Sequence, residues 1–199
     1  MKKTAIATTA LLAVTLFSTV APAVHAATLP DTTGDVNFTK STDPNGELQL
    51  TQAPSVDFGD QTISGSDKTY DQSVVTGVQV VDNRGSNAGW HLSVSNTQFM
   101  GLTTTTAELT GAKLTLTSGA VTNKNGDKYA ATAAPSMILN GDGATGAVDV
   151  MHTIKGETTG MGINDLAVTK ASLDVPGATA KLKEKYESTI TWTLADAGL

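Results

Sequence analysis

The sequence predicts an all-β protein, a single antiparallel β-sandwich-like domain with long loops and little helix. Three observations carry that expectation. Apolar residues recur at every second position in short runs, as at Val78 and Val80 or Leu114 and Leu116, which is the period of a strand with one face buried. Glycine-, asparagine- and aspartate-rich reversals punctuate the runs. Threonine is abundant, including Thr103 to Thr106, and branching at Cβ favours extended backbone.

Taken in order, the chain opens with Lys2 and Lys3, an apolar run from Ala5 to Val20, and the small-residue sequence Val24-His25-Ala26. This is the pattern of a secretory signal peptide cut before Ala27. Residues 27–33 read as a short polar leader, and 34–199 as one domain. Val36 and Phe38 alternate with Asn37 and Thr39; Leu48 and Leu50 alternate with Gln49 and Thr51. The intervening Asp43-Pro44-Asn45-Gly46 predicts a tight reversal that joins them in a first ribbon. Strands are expected again at Val78–Val80, Trp90–Val94, Leu114–Leu116 and Ser188–Leu194. Asp82-Asn83-Arg84-Gly85, Asn123-Lys124-Asn125-Gly126 and Asn140-Gly141 mark turns. Only Ala178 to Tyr186 reads as a short helix.

Composition limits the function. Cleavage before Ala27 would remove two of the 13 basic residues and no acidic one, so the net charge moves from −6 to −8. That balance disfavours nucleic acid or anionic lipid as a partner. Cysteine is absent, so an exported chain has neither disulfides nor an acylation site. No later apolar run reaches the ~18 residues of a membrane span. Leu29-Pro30-Asp31-Thr32-Thr33 lacks the final glycine of a sortase signal and the apolar tail such signals carry. Retention at a surface therefore points to noncovalent contacts.

Chemistry-bearing motifs are few. Gly141-Asp142-Gly143-Ala144-Thr145-Gly146 fits a phosphate-binding glycine pattern. The following Val148-Asp149-Val150-Met151 reads as a strand where that site needs a helix, so a glycine loop between strands is expected. His91 and His152 alone survive removal of the signal peptide, too few for a histidine metal site. Alternation puts His91 on the outer face. Asn123, Asn125 and Asp127 lack the terminal glutamate of a calcium loop. Asp57, Asp60 and Glu108 have no spacing that pairs them for glycan hydrolysis, and Ser64-Gly65-Ser66 lacks the elbow context of a nucleophile. No catalytic residue, cofactor or metal is assigned.

Both tryptophans lie in Trp-x-Leu tripeptides, Trp90-His91-Leu92 and Trp192-Thr193-Leu194. Residues i and i+2 of a strand share a face, so each motif forms an aromatic and aliphatic stripe. With nine aromatic residues in all, one of them, Phe17, in the signal peptide, the chain can hardly expose both tryptophans and fill a core. One buried indole removes about 150–250 Å² from water. Trp90, Leu92, Trp192 and Leu194 are therefore fold-defining or ligand-binding residues, with the core role the stronger.

The flanks add specificity. Ser55-Val56-Asp57-Phe58-Gly59, Val81-Asp82-Asn83-Arg84-Gly85, Gly89-Trp90-His91-Leu92-Ser93-Val94, Leu109-Thr110-Gly111-Ala112-Lys113-Leu114 and Tyr186-Glu187-Ser188-Thr189-Ile190-Thr191-Trp192-Thr193-Leu194 together resemble the WxL domain family from about Gly34 onward. The family commonly has a proline shortly after the Asp-Ala that closes its distal motif; here Asp196-Ala197 is followed by Gly198-Leu199. The resemblance implies a noncatalytic surface protein of Gram-positive bacteria, held noncovalently to the cell wall through peptidoglycan or another wall polymer, through a membrane-anchored companion surface protein, or through both. A structural subunit or adhesin of a surface fibre is the alternative, since it too would be secreted, β-rich and threonine-rich.

Overall fold

The computed structural model describes residues 36–39, 47–74 and 76–196. The chain divides into two units, Met1–Asn37 and Phe38–Leu199. The signal peptide, the leader and the Asp43–Gly46 turn lie outside the described residues.

Every strand among the described residues belongs to the second unit. In chain order they are β1 (Leu48–Gln52), β2 (Lys68–Ser73), β3 (Val78–Asp82), β4 (His91–Asn96), β5 (Met100–Gly101), β6 (Lys113–Asn123), β7 (Thr132–Ala133), β8 (Ser136–Leu139), β9 (Val148–His152), β10 (Gly162–Val175), β11 (Tyr186–Glu187) and β12 (Ile190–Ala195). Two short 3₁₀ turns, Asp127–Tyr129 and Gly143–Gly146, interrupt them. All pairings are antiparallel. The all-β expectation holds.

One sheet runs β1-β3-β10-β6-β8, with β2 also on β10. The 14-residue β10 serves two partners along one side, β3 against Gly162–Leu166 and β2 against Lys170–Val175. The second sheet runs β12-β4-β9-β7, and β11 with β5 forms a separate ribbon. The core lies between the two larger sheets. Val78, Val80, Leu114, Leu116, Met137, Leu139 and Leu166 come from the first; Leu92, Val94, Val150 and Met151 come from the second. A smaller cluster of Leu109, Ala112, Leu173 and Val175 closes one end. In a chain without disulfides, this apolar burial at roughly 25 cal/mol per Å² and the strand ladders hold the fold.

Three expectations are corrected. Residues 36–39 form no strand, and Val36 and Phe38 are 74% and 87% exposed. β1 pairs instead with β3, register Leu50 to Val80, where Leu48 and Leu50 pack on the core. Ala178–Tyr186 is loop rather than helix, because its ends are committed to tertiary contacts: Thr179 Oγ1 donates to Thr110 O at 2.7 Å, and Tyr186 enters β11. Thr103–Thr106 makes a turn, not a strand, its first two amides bound by the Glu184 carboxylate at 2.8 and 2.9 Å.

Candidate functional site

The fold brings the two Trp-x-Leu segments onto neighbouring strands. β4 and β12 pair so that Trp192 faces Val94 and Leu194 faces Leu92. Alternation turns Leu92 and Val94 inward, and both are fully buried, as is Trp90 just before the strand. Trp192 and Leu194 are half-buried against the same core, because β12 is the last strand of its sheet among the described residues.

Trp90 also carries polar bonds. Its main-chain N–H donates to Thr153 Oγ1 at 2.9 Å and its carbonyl accepts from Thr153 N at 2.9 Å. The indole Nε1–H donates to Gly160 O at 3.2 Å. Gly160 has φ of 80°, and a Cβ there would lie 2.0 Å from Thr153 Cγ2, so the position requires glycine.

From Gly160 the bonding continues into a buried asparagine pair. Gly160 N donates to Tyr129 O at 2.7 Å, and Asn164 Nδ2 donates to Gly160 O at 2.7 Å. Asn164 Oδ1 accepts from Ala131 N and from Asn123 Nδ2 at 3.1 and 3.0 Å. Asn123 Nδ2 further reaches Met161 O at 2.9 Å and Tyr129 O at 3.2 Å, while its Oδ1 accepts from Asn125 N at 2.8 Å. Asn123 and Asn164 are 5% and 0% exposed, and burial is tolerable because each amide is bonded at both ends. The pair pins the loops that carry Asn125, Tyr129 and Met161, and these three with Thr158 line a cavity of about 290 Å³.

Arg84 joins the proximal segment to the distal one. Its guanidinium donates to both oxygens of Asp82, at 2.9 and 2.8 Å, to Gly89 O at 2.8 Å, and to Asp196 just beyond the distal motif. Arg84 and Asp82 side chains are 9% and 6% exposed, Asp196 71%. The Asp82 carboxylate raises the Arg84 pKa above its ordinary value, so the charge is permanent.

On the outer face of the second sheet, a register shift between Leu92 and Ser93 lets β9 bury both Val150 and Met151. Asp149 and His152 therefore share the outer face with His91. His152 Nδ1 bonds Asp149 Oδ2 at 2.9 Å. His91 Nε2 lies 2.8 Å from Asp149 Oδ1 but off line for a hydrogen bond, leaving an electrostatic contact when the ring is charged. No cluster of three or more His, Cys, Asp or Glu side chains among the described residues can hold a metal ion.

The remaining motif residues are dispersed. Asp57 Oδ1 accepts from Gly59 N, Glu108 Oε1 from the Thr110 hydroxyl, and Ser64 Oγ from Ser66 N, all exposed local contacts. Gly141–Gly146 lies between β8 and β9, as a strand-linking loop. Asn123–Asp127 leads from β6 into a 3₁₀ turn rather than closing a hairpin. The sequence placed Arg84 and Asn123 only in turns and gave Asn164 and Tyr129 no role. Asparagine is depleted in strand interiors, and its occurrence within the Gly162-Ile163-Asn164-Asp165-Leu166 run is the signal that marks Asn164 as special.

Fold and motif geometry thus define an all-β domain closed by the antiparallel pairing of two Trp-x-Leu strands. The family model for the WxL domain, described as surface cell wall-binding, matches residues 17–197. The chain belongs to the WxL domain family, whose role is cell-wall binding at the cell surface. No curated protein and no solved structure matches it. No helix among the described residues is long and apolar enough to cross a membrane.

Proposed function

We propose that this chain is a secreted, noncatalytic module that attaches noncovalently to the Gram-positive wall by binding peptidoglycan, and that a membrane-anchored companion surface protein is its second contact. Family membership across residues 17–197 carries the reading. Trp90 and Leu92 are fully buried, so these motif residues act by building the domain, and contact with the wall falls to loops. The companion contact is supported by the open groove of about 650 Å³ lined by Leu48, Gln49, Leu50, Thr51, Leu194 and Asp196, which lies beside β12, the end strand of its sheet among the described residues. Strand edges of this kind accept a further strand.

The test is co-sedimentation of the processed chain with protein-free Gram-positive sacculi. Saturable pelleting is expected, with muropeptide release at background. No pelleting, together with capture of a membrane-anchored surface protein from extracts, would move attachment wholly to the companion. Light scattering separates the fibre alternative, which requires polymers where the attachment module gives a monomer or small oligomer.

A further inference from the structure

We infer that the cavity lined by Asn125, Tyr129, Thr158 and Met161 is a subsite for a single N-acetylated pyranose of the wall glycan, an assignment that rests on the wall-binding function proposed above.

The lining is uncharged and chemically mixed. A phenol ring offers a flat apolar surface to the C–H face of a sugar. The Asn125 amide is both donor and acceptor, as is the Thr158 hydroxyl, which matches an acetamido group flanked by ring hydroxyls. The Met161 thioether is a soft apolar wall suited to the acetyl methyl. At about 290 Å³ the cavity sits at the small end of ligand pockets, roughly 300–1,000 Å³, and suits one sugar ring. An acidic chain, net charge −6, would repel a polyanion, whereas N-acetylglucosamine is neutral.

The walls are also held in place before any ligand arrives. Tyr129 is fixed through its main chain by Gly160 N, by Asn123 Nδ2 and by its own N–H to Gly126 O at 2.9 Å. Met161 O and Asn125 N are fixed by the same Asn123 side chain. The Lys128 ammonium stands 4.8 Å from the Tyr129 ring centroid and steadies the ring by a cation–π contact. Fixing the walls in advance reduces the ordering cost of binding. Through Gly160 the cavity hangs from the Trp90 indole, which makes the buried tryptophan a positioning residue for a surface site one loop away.

The experiment labels methionine methyls with ¹³C in the processed chain and titrates an oligomer of N-acetylglucosamine, its de-N-acetylated counterpart, and soluble muropeptides, alongside the sacculus assay. A saturable shift of the Met161 methyl is expected with the acetylated ligands, while Met137 and Met151, both fully buried, stay still. Tyr129→Ala should weaken binding roughly tenfold, equivalent to about 1.4 kcal/mol, with the melting temperature retained because the main-chain bonds persist. Thr158→Val is the second variant should Tyr129→Ala unfold. A silent Met161 beside sacculi that bind overturns the subsite and leaves the wall function standing. A shifted Met161 beside sacculi that do not bind keeps the sugar site and removes the wall function. Silence in both assays defeats both, and an equal response to the de-N-acetylated oligomer overturns the acetamido assignment.

Discussion

Replacing Trp90 with phenylalanine isolates what the proximal tryptophan contributes beyond bulk. The side chain is fully buried, and shrinking indole to phenyl vacates about 40 Å³, which at about 24 cal/mol per Å³ costs about 1 kcal/mol. The indole bond to Gly160 O is also lost. That carbonyl keeps its bond from Asn164 Nδ2, so it is not orphaned, and the loss is the net value of one hydrogen bond, about 1 kcal/mol. Trp90→Phe should therefore destabilise by at least about 2 kcal/mol, since the transfer free energy of the removed ring atoms adds to the cavity cost. With a urea slope of about 1–3 kcal/mol per M, the midpoint falls by roughly 1 M. Trp192→Phe is the control: the ring is half-buried and its indole has no hydrogen-bond partner among the described residues, so its cost should stay below about 1 kcal/mol. Amide exchange reports the local effect, with the Gly160 N–H, bonded to Tyr129 O, losing protection in Trp90→Phe alone. Equal midpoint shifts for the two variants, or unchanged Gly160 exchange, would refute the assignment of Trp90 as the support of that loop.

Arg84→Ala leaves the Asp82 carboxylate buried without its cation and should cost about 3–5 kcal/mol, with partial recovery in the Arg84→Ala/Asp82→Ala double variant; additive losses in a denaturation cycle would contradict a coupled pair. The Glu184 carboxylate is held below its ordinary value of 4.5 chiefly by the Thr104 amide and then by that of Thr103. Its folded value being the lower, the carboxylate stabilises fully above the unfolded value, and the contribution is lost as pH falls through the folded value. The melting-temperature gap between wild type and Glu184→Gln should thus be largest near neutrality and shrink below pH 4.5; a gap constant with pH would refute it. His91→Ala should change stability by less than about 1 kcal/mol, since the ring stands partly exposed on the outer face beside Asp149, and a large loss of melting temperature would show that the ring supports the core.

Strict alternation made much of the fold legible. Val78 with Val80, Leu92 with Val94, and Leu114 with Leu116 are all buried, as their period requires. The same period misled at Val36 and Phe38, because a two-residue repeat states what a strand could bury and not whether a partner is present. The central strand β10 was illegible for the opposite reason: register shifts at Val168 break its alternation, and Ala171, Ser172 and Leu173 are buried in succession. Local propensity pointed to helix at Ala178–Tyr186, where long-range contacts prevail. The motif tryptophans could be found in the sequence, but the cavity beyond them could not. Its lining residues come from loops about 30 positions apart, brought together by two asparagines that a pattern of polar and apolar residues assigns to solvent.

The pairing of β4 with β12 fixes the order in which this domain can be completed. The partners are separated by about a hundred residues, so the loop that closes between them is long and its closure comes late. Until β12 docks, one side of β4 has exposed backbone donors and acceptors, and the sheet that buries Trp90 is one strand short. In a chain made from its N-terminal side, completion of this sheet therefore waits until Ile190–Ala195 is available to pair. The distal Trp-x-Leu is in this sense a clasp: loss of the last strand would leave an incomplete sheet prone to pairing with a neighbour's edge.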